Sequence, residues 1–434
     1  RSGAHSKGEP NGGRPMQAWI HDAVRTPRGK ARPDGGLASQ QPYELVAALV
    51  AALQSRGGSP REVESLILGC VGQIGDQGGN IALVSKLHAG IDESASAFTI
   101  NNYCVSGLTA IGHGALQVAG QHKAVLAGGV EMMSRVPFMA DKAGYYTDAS
   151  FPKRSRYVPV VLAADRLAEA QGIARAELDR LALISQQRAS AAEAVPAFAA
   201  SRIAIGNLAH DECIRAQTSA ESLAAMAPGF AALAEHYAAA LDGPIDHRHT
   251  IAHAPPVCDG AGLALVGGSA EIGGRRARAR VLAYAEAGGD PHASLLAGIT
   301  AMHRALEQAD LTLDQMDRIE FMESFAVTMA IFLRDHAVDL AKVAVNAGAA
   351  AIVCSPLEIS AVRREVGASP IIITPGVRPL DMVGTDDQQR TMTPEDAIAT
   401  GANLVVIGRP ITQSWAQGAQ AMKERAQEIG ADLI

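Results

Sequence analysis

From Met16 onward, short apolar runs alternate with longer stretches whose apolar residues recur at helical spacing, and this alternation restricts the fold more than any other feature. AWIHDAV (18–24) reads as a strand and, after the loop RTPRGKARPDGG, ELVAALVAALQSRG (44–57) reads as a helix closed by Gly57. SLILGCVG (65–72) is a buried strand, and a further helix precedes the strand AFTINNYC (97–104). GLTAIGHGALQVAG (107–120) is a helix leading into the apolar strand AVLAGGVE (124–131). Strand and helix in turn imply parallel strands joined by crossovers, hence the α/β class. Composition agrees: 48% of residues are hydrophobic but only 4% aromatic, so the cores are built from Ala, Val, Leu and Ile, as suits helices layered on a sheet.

At about 150 residues per domain, 434 residues make about three domains, or two with an insertion. Residues 1–15, rich in Gly, Ser and Pro, have the character of a linker or tag. Residues 16–272 form the first domain, interrupted over about 140–250 by an insertion with YYTDASFPKRSRYVP and the amphipathic ELDRLALISQQRASAAEA. The sheet rhythm returns at GAGLALVGGSAE. A second unit over 273–343 begins with RVLAYAEAG, the helix ASLLAGITAMHRALEQA and a strand at RIEFMESF. Residues 344–434 carry a further strand series, AAIVCS, PIIITPG and NLVVIGRP, with EISAVRREVG and PEDAIATG between.

The net charge is -7 and no basic cluster can neutralise a run of phosphates, which argues against nucleic acid as a partner. Apolar stretches such as Glu44 to Leu53 are too short to span a bilayer, so no membrane partner is expected. The five cysteines, at 70, 104, 213, 258 and 354, are odd in number and lack a CxxC pair. They suggest neither a disulfide framework nor a metal site, and fit a reducing cytoplasm.

Cys104 is the first candidate for chemistry, because it lies where a strand ends and a helix begins. A thiol at a helix N-terminus meets partial positive charge and unpaired N–H groups, which favour the thiolate and lower its pKa. Gly107 would let an acyl group or a second backbone segment come close. Set against this, a cysteine in such a place is often only a small buried apolar residue.

The segment NNYCVSGLTAIGHGALQVAGQHKAVLAGGVEMMSRVPF, with Cys104–Leu108 and Gly128–Ser134 as its two motifs, resembles the nucleophile region of thiolases. AVRTPRGKARPDGGL near the start and Asp259–Glu271 are also similar to that family, and the likeness runs to about residue 343. It implies a thiolase-like layered α/β/α fold with an incomplete second half. It also implies an acyltransferase acting on acyl-CoA through a thioester on Cys104, with coenzyme A thioester as substrate, no bound cofactor and a homodimer or homotetramer. The family's G-H-P histidine and C-x-G-G-G cysteine do not occur: no histidine follows His336, and Cys354 precedes Ser355, Pro356 and Leu357. The family's N-E-A-F reads Met322, Glu323, Ser324, Phe325, replacing an amide with a thioether that scarcely hydrogen-bonds. AHAPPVC stands before Asp259 where G-N-S-S is expected, which alters coenzyme A binding. His113 is about 13 Å from Cys104 along one helix, and His88, His253 and His303 read as surface or satisfied core residues.

From about residue 344, AAIVCSPLEISAVRREVGASPIIITPGVRPLDMVGTDDQQRTMTPEDAIATGANLVVIGRPITQS is similar to the C-terminal part of orotidine 5'-phosphate decarboxylase, a (β/α)8 barrel. The resemblance implies phosphate or nucleotide contacts at Arg378, Gln388, Gly408 and Arg409. The D-x-K-x-x-D array of that family is missing, and three strands leave open edges and an uncovered apolar face, so this is a (β/α) fragment of a TIM barrel. A hybrid chain, natural or artificial, is favoured over a thiolase whose tail is only locally alike. The alternatives to impaired acyl transfer are nucleotide binding or decarboxylation in pyrimidine biosynthesis, and an inactive scaffold.

Overall fold

A computed structural model describes residues 16–120, 123–290, 294–346, 348–379 and 392–431. The tag-like residues 1–15 and Gln388 lie outside them. The chain divides into two compact units, one of residues 1–310 with 322–330, the other of residues 311–321 with 331–434.

The first unit is built on β1 (Ala18–Arg25), β2 (Gly29–Lys30), β3 (Ser65–Gly69), β4 (Ser96–Ile100), β5 (Ala124–Met132), β6 (Cys258–Gly267), the small hairpin β7 (Glu271–Ile272) and β8 (Arg275–Arg276), and β9 (Ala279–Val281). Its sheet runs β4-β3-β5-β6-β1-β9, with β2 also on β6. The expectation of parallel strands holds for β4, β3 and β5. β6, however, lies antiparallel to both β5 and β1, so the sheet is mixed. The chain enters β6 from a long insertion rather than from a crossover helix, which leaves its direction free.

Alternation sorts the apolar residues. Leu66 and Leu68 of β3 face α1 (Pro42–Ser55) and α2 (Ile81–Ala89), while Ile67 between them faces α3 (Ser106–Gly120). α1 starts at Pro42, with the Gln41 N–H donating to the Glu44 carboxylate at 2.7 Å, and buries Leu45, Val46, Leu49, Val50 and Leu53. α3 buries Ala110, Ala115 and Val118 on the opposite face, completing three layers, α/β/α. Its first turn sits directly on β3: a Cβ at Gly69 would lie 2.3 Å from the backbone carbon of Ser106. Between β5 and β6 the chain forms α4 (Val160–Ala170), α5 (Arg175–Ala192) and the short α6 (Pro196–Ser201), α7 (Ala220–Ala224) and α8 (Ala231–His236). α9 (Ala297–Ala309) follows β9, and the unit boundary falls within α10 (Ala326–Asp335).

No strand forms at RIEFMESF. Its rings pack instead: Phe321 stacks on Phe332 at 4.6 Å in the second unit, and Phe325 is buried beside His249 in the first. A lone strand without a ladder partner is not stable.

The second unit carries a parallel sheet, β10 (Ala351–Val353), β11 (Ile371–Pro375) and β12 (Leu404–Val406), in that order. Helices α11 (Ala337–Asn346), α12 (Ile359–Val366) and α13 (Pro394–Thr400) cover Ile352 and Ile372, while α14 (Arg409–Thr412) and α15 (Ala419–Ala431) end the chain. Val353, Ile371, Leu404 and Val406 are exposed, so the expected uncovered apolar face is present. None of the helices described is long and apolar enough to cross a membrane.

Candidate active site

Cys104 lies two residues before α3, in the turn that β4 feeds. Tyr103 takes the left-handed conformation, φ 49°, which costs a non-glycine residue about 1 kcal/mol or more. Side chains hold the turn in that shape. The Ser106 hydroxyl accepts from the Asn102 N–H at 2.8 Å and donates to the Tyr103 carbonyl at 2.6 Å, and the Asn101 side chain accepts from the Tyr103 N–H at 3.0 Å. Asn102 also donates through Nδ2 to Thr109 and to Glu286, and Thr109 donates to Glu286 at 2.6 Å. The result is an exposed cysteine on a braced, strained corner.

Its electrostatics differ from the expectation. Desolvation of the thiol among its neighbours and, added to it, the Glu131 carboxylate raise the Cys104 pKa, outweighing the hydrogen bond from backbone N–H that lowers it. The side chain still touches water, so the effect is screened. Glu131, on β5, accepts from the Val71 N–H at 2.7 Å, the Gly72 N–H at 3.2 Å and Gln77 Nε2 at 2.6 Å, which fixes the anion in place. Within this unit, no described histidine bonds to Cys104 or acts on its charge. His88 stacks edge-on against Tyr43, His113 faces the Tyr284 ring, and His253 is buried on Asp179 at 2.7 Å. Beside the first turn of α3 opens an apolar concavity of about 360 Å³, lined by Ala23, Val24, Gly107, Ile111, Gly128 and Leu263 among others. A Cβ at Gly107 would stand 3.9 Å from the Gly128 backbone, an ordinary contact, so the lack of a side chain there is not what admits a neighbour, and Cys104 is outside the lining.

In the second unit, Arg378 follows β11 by three residues and is buried, its Nη1 donating to the Val377 carbonyl at 3.0 Å. Gly408 caps α14, and Arg409 begins it, just beyond β12. Both loops leave the C-terminal edge of neighbouring parallel strands, where barrel folds place phosphate sites. Cys354 is buried at the end of β10, with burial pushing its thiol up to about 11. Sequence inspection missed Glu286 as a support of the Cys104 turn, and Glu131, held by Gln77, as a charge acting on its thiol, because each acts through the fold rather than through local spacing.

A three-layer α/β/α unit with a cysteine on the corner between strand and helix defines the class. The thiolase N-terminal domain model matches residues 18–266, and the chain belongs to the thiolase family. It is similar to the β-ketoadipyl-CoA thiolase of Pseudomonas aeruginosa, 34% identical over 80% of this chain and 90% of that protein. It is 33% identical to the 3-oxoadipyl-CoA/3-oxo-5,6-dehydrosuberyl-CoA thiolase of Escherichia coli, over 81% and 92%. Among solved structures, human mitochondrial 3-ketoacyl-CoA thiolase in complex with CoA aligns at a TM-score of 0.65 and 28% identity, covering 76% of this chain and 85% of that one. The Bacillus anthracis acetyl-CoA acetyltransferase aligns at 0.63 and 28%, over 76% and 86%. A second family model, orotidine 5'-phosphate decarboxylase / HUMPS family, matches residues 288–424. The hybrid character read from the sequence is therefore present. The second match starts upstream of Ala344, so the two likenesses overlap.

Proposed function

We propose that the protein is an acyl-CoA acyltransferase of thiolase type, slowed by its altered C-terminal part, in which Cys104 carries the acyl group. The exposed thiol on the corner braced by Ser106, Asn101 and Asn102 carries this reading. The Cys104 thiolate attacks the acyl carbonyl carbon, the bond from that carbon to the coenzyme A sulfur breaks, and coenzyme A leaves as its thiolate. The proton given up by Cys104 ends on the departing sulfur by way of solvent. With no G-H-P histidine in the chain and the thiol pKa raised, little thiolate exists at neutral pH and the acylation is slow. Cytoplasmic location and assembly as a homodimer or homotetramer belong to the same proposal. Incubation with acetyl-CoA and peptide mass spectrometry should find acetyl on Cys104 and none in Cys104→Ala; an unmodified wild-type Cys104 at pH 9 overturns the reading.

A second activity is favoured by Arg378, Gly408 and Arg409 at the ends of adjacent parallel strands: phosphate or nucleotide binding by the second unit, with Gln388 as a further contact. Decarboxylation is not part of this proposal, because the charge array it needs is missing from the sequence. Calorimetry with uridine 5'-phosphate should show heat that Arg409→Ala removes, and no heat in the wild type disposes of it.

A further inference from the structure

Away from the Cys104 corner, Cys213 and Cys258, with 44 residues between them in the chain, are both held against β2, near enough for each thiol to act on the other. Cys258 is the first residue of β6, and it pairs with Lys30 of β2. Cys213 arrives from the insertion on a segment clamped to the same strand. The Glu212 N–H donates to the Arg28 carbonyl at 2.9 Å, the Asp211 carboxylate accepts from the Arg28 N–H at 2.7 Å, and the Glu212 carboxylate accepts from the N–H groups of Lys30 and Gly36, both at 2.9 Å. The two backbones that bear the sulfurs are therefore each fixed to β2, so the nearness of the thiols is set by the fold and not by a chance rotamer. Both residues are half-buried, which leaves them open to small reagents.

We propose that Cys213 and Cys258 form a reversible disulfide by exchange with a low-molecular-weight disulfide, tying the insertion covalently to β6. The Cys258 thiolate attacks one sulfur of the reagent, breaking its S–S bond and expelling one thiolate. Cys213 then attacks the Cys258 sulfur of the mixed disulfide, forming the protein S–S bond and expelling the second thiolate. The two protein thiols are oxidised, the reagent is reduced to two thiols, and the two protons lost by the cysteines end on the expelled sulfurs. The Cys213 thiol and Arg28 favour the first step, since they stabilise the anion on Cys258 while the proton stays with Cys213. In the closed bond the sulfurs stand about 2.05 Å apart, reached by side-chain rotation on two fixed backbones. The link needs neither Cys104 nor acyl transfer, so it stands apart from the proposed function.

The full chain is equilibrated with oxidised glutathione, blocked with N-ethylmaleimide under acid quench, digested and mapped by mass spectrometry without reduction. The expected product is a peptide pair joined through Cys213 and Cys258, absent after dithiothreitol. Cys213→Ser should instead keep a glutathione adduct on Cys258, because the resolving thiol is gone. Wild-type protein that shows a lasting glutathione adduct on Cys258, a bond from either cysteine to a different partner, or two freely blocked thiols overturns the proposal without recourse to any variant.

Discussion

The carboxylate of Glu131 acts on the thiol of Cys104 across the edge between β5 and α3: burial raises the thiol pKa first, and the fixed anion adds to it. Glu131→Gln keeps an acceptor for the Val71 N–H while removing the charge. Iodoacetamide labelling of Cys104 at pH 7.5 should then be severalfold faster than in the wild type, since a larger share of the thiol is ionised. Equal rates for the two proteins would remove Glu131 from the electrostatics of the corner.

Gly69→Ala should be among the most damaging single substitutions in the first unit. The added methyl would stand 2.3 Å from the Ser106 backbone carbon and 2.5 Å from the Gly107 nitrogen, so α3 must lift off β3. Overpacking of this kind costs about 3 kcal/mol. Urea denaturation followed by circular dichroism reads it, and a midpoint unchanged from the wild type would contradict the packing described.

Asp211 contributes to the acid limb of stability. Burial raises its pKa, but the hydrogen bond from Arg25, the Arg28 N–H and the charges of Arg25 and Arg202 prevail and hold it at about 2. Its folded pKa is below the unfolded value of about 3.9, so the stabilisation is fully present above pH 4 and is lost as pH falls towards 2. Asp211→Asn should therefore cost about 2 kcal/mol at neutral pH and flatten the fall in stability between pH 4 and pH 2. Thermal midpoints measured at half-unit intervals across that range decide it.

The second unit should bind a hydrophobic dye. Val353 and Val406, 66% and 51% exposed on the open face of the three-stranded sheet, are its main contributors. Replacing both by serine should lower anilinonaphthalene sulfonate fluorescence while shifting stability by less than about 1 kcal/mol, as expected of exposed positions. Undiminished fluorescence would mean that the dye sits elsewhere.

What could be read in advance follows from the range of each interaction. β1, α1, β3, α3 and β5 announce themselves because apolar periods of two and 3.6 are local, and the boundaries fall within three residues of the patterns. The corner at Cys104 is also local, since Asn101, Asn102, Tyr103 and Ser106 make it among themselves. The antiparallel insertion of β6 between β5 and β1 is not, because direction depends on where the preceding insertion leaves the chain. Glu131 reaches Val71 and Gly72 from sixty and fifty-nine positions away, and no spacing rule marks that pairing. The raised thiol pKa has the same origin: the helix terminus is written locally, but burial of the thiol, which raises it most, and the Glu131 carboxylate, which adds to it, come with the fold.

The place of β6 has a consequence for how the protein is made. β1 leaves the ribosome well before its sheet partners β6 and β9, which come more than two hundred residues later. At about 5–20 residues per second, translation leaves the first strand without a neighbour for roughly ten to fifty seconds. During that interval Trp19 and Ile20 belong to an unpaired strand, and the first sheet closes only when β6 is threaded into its middle.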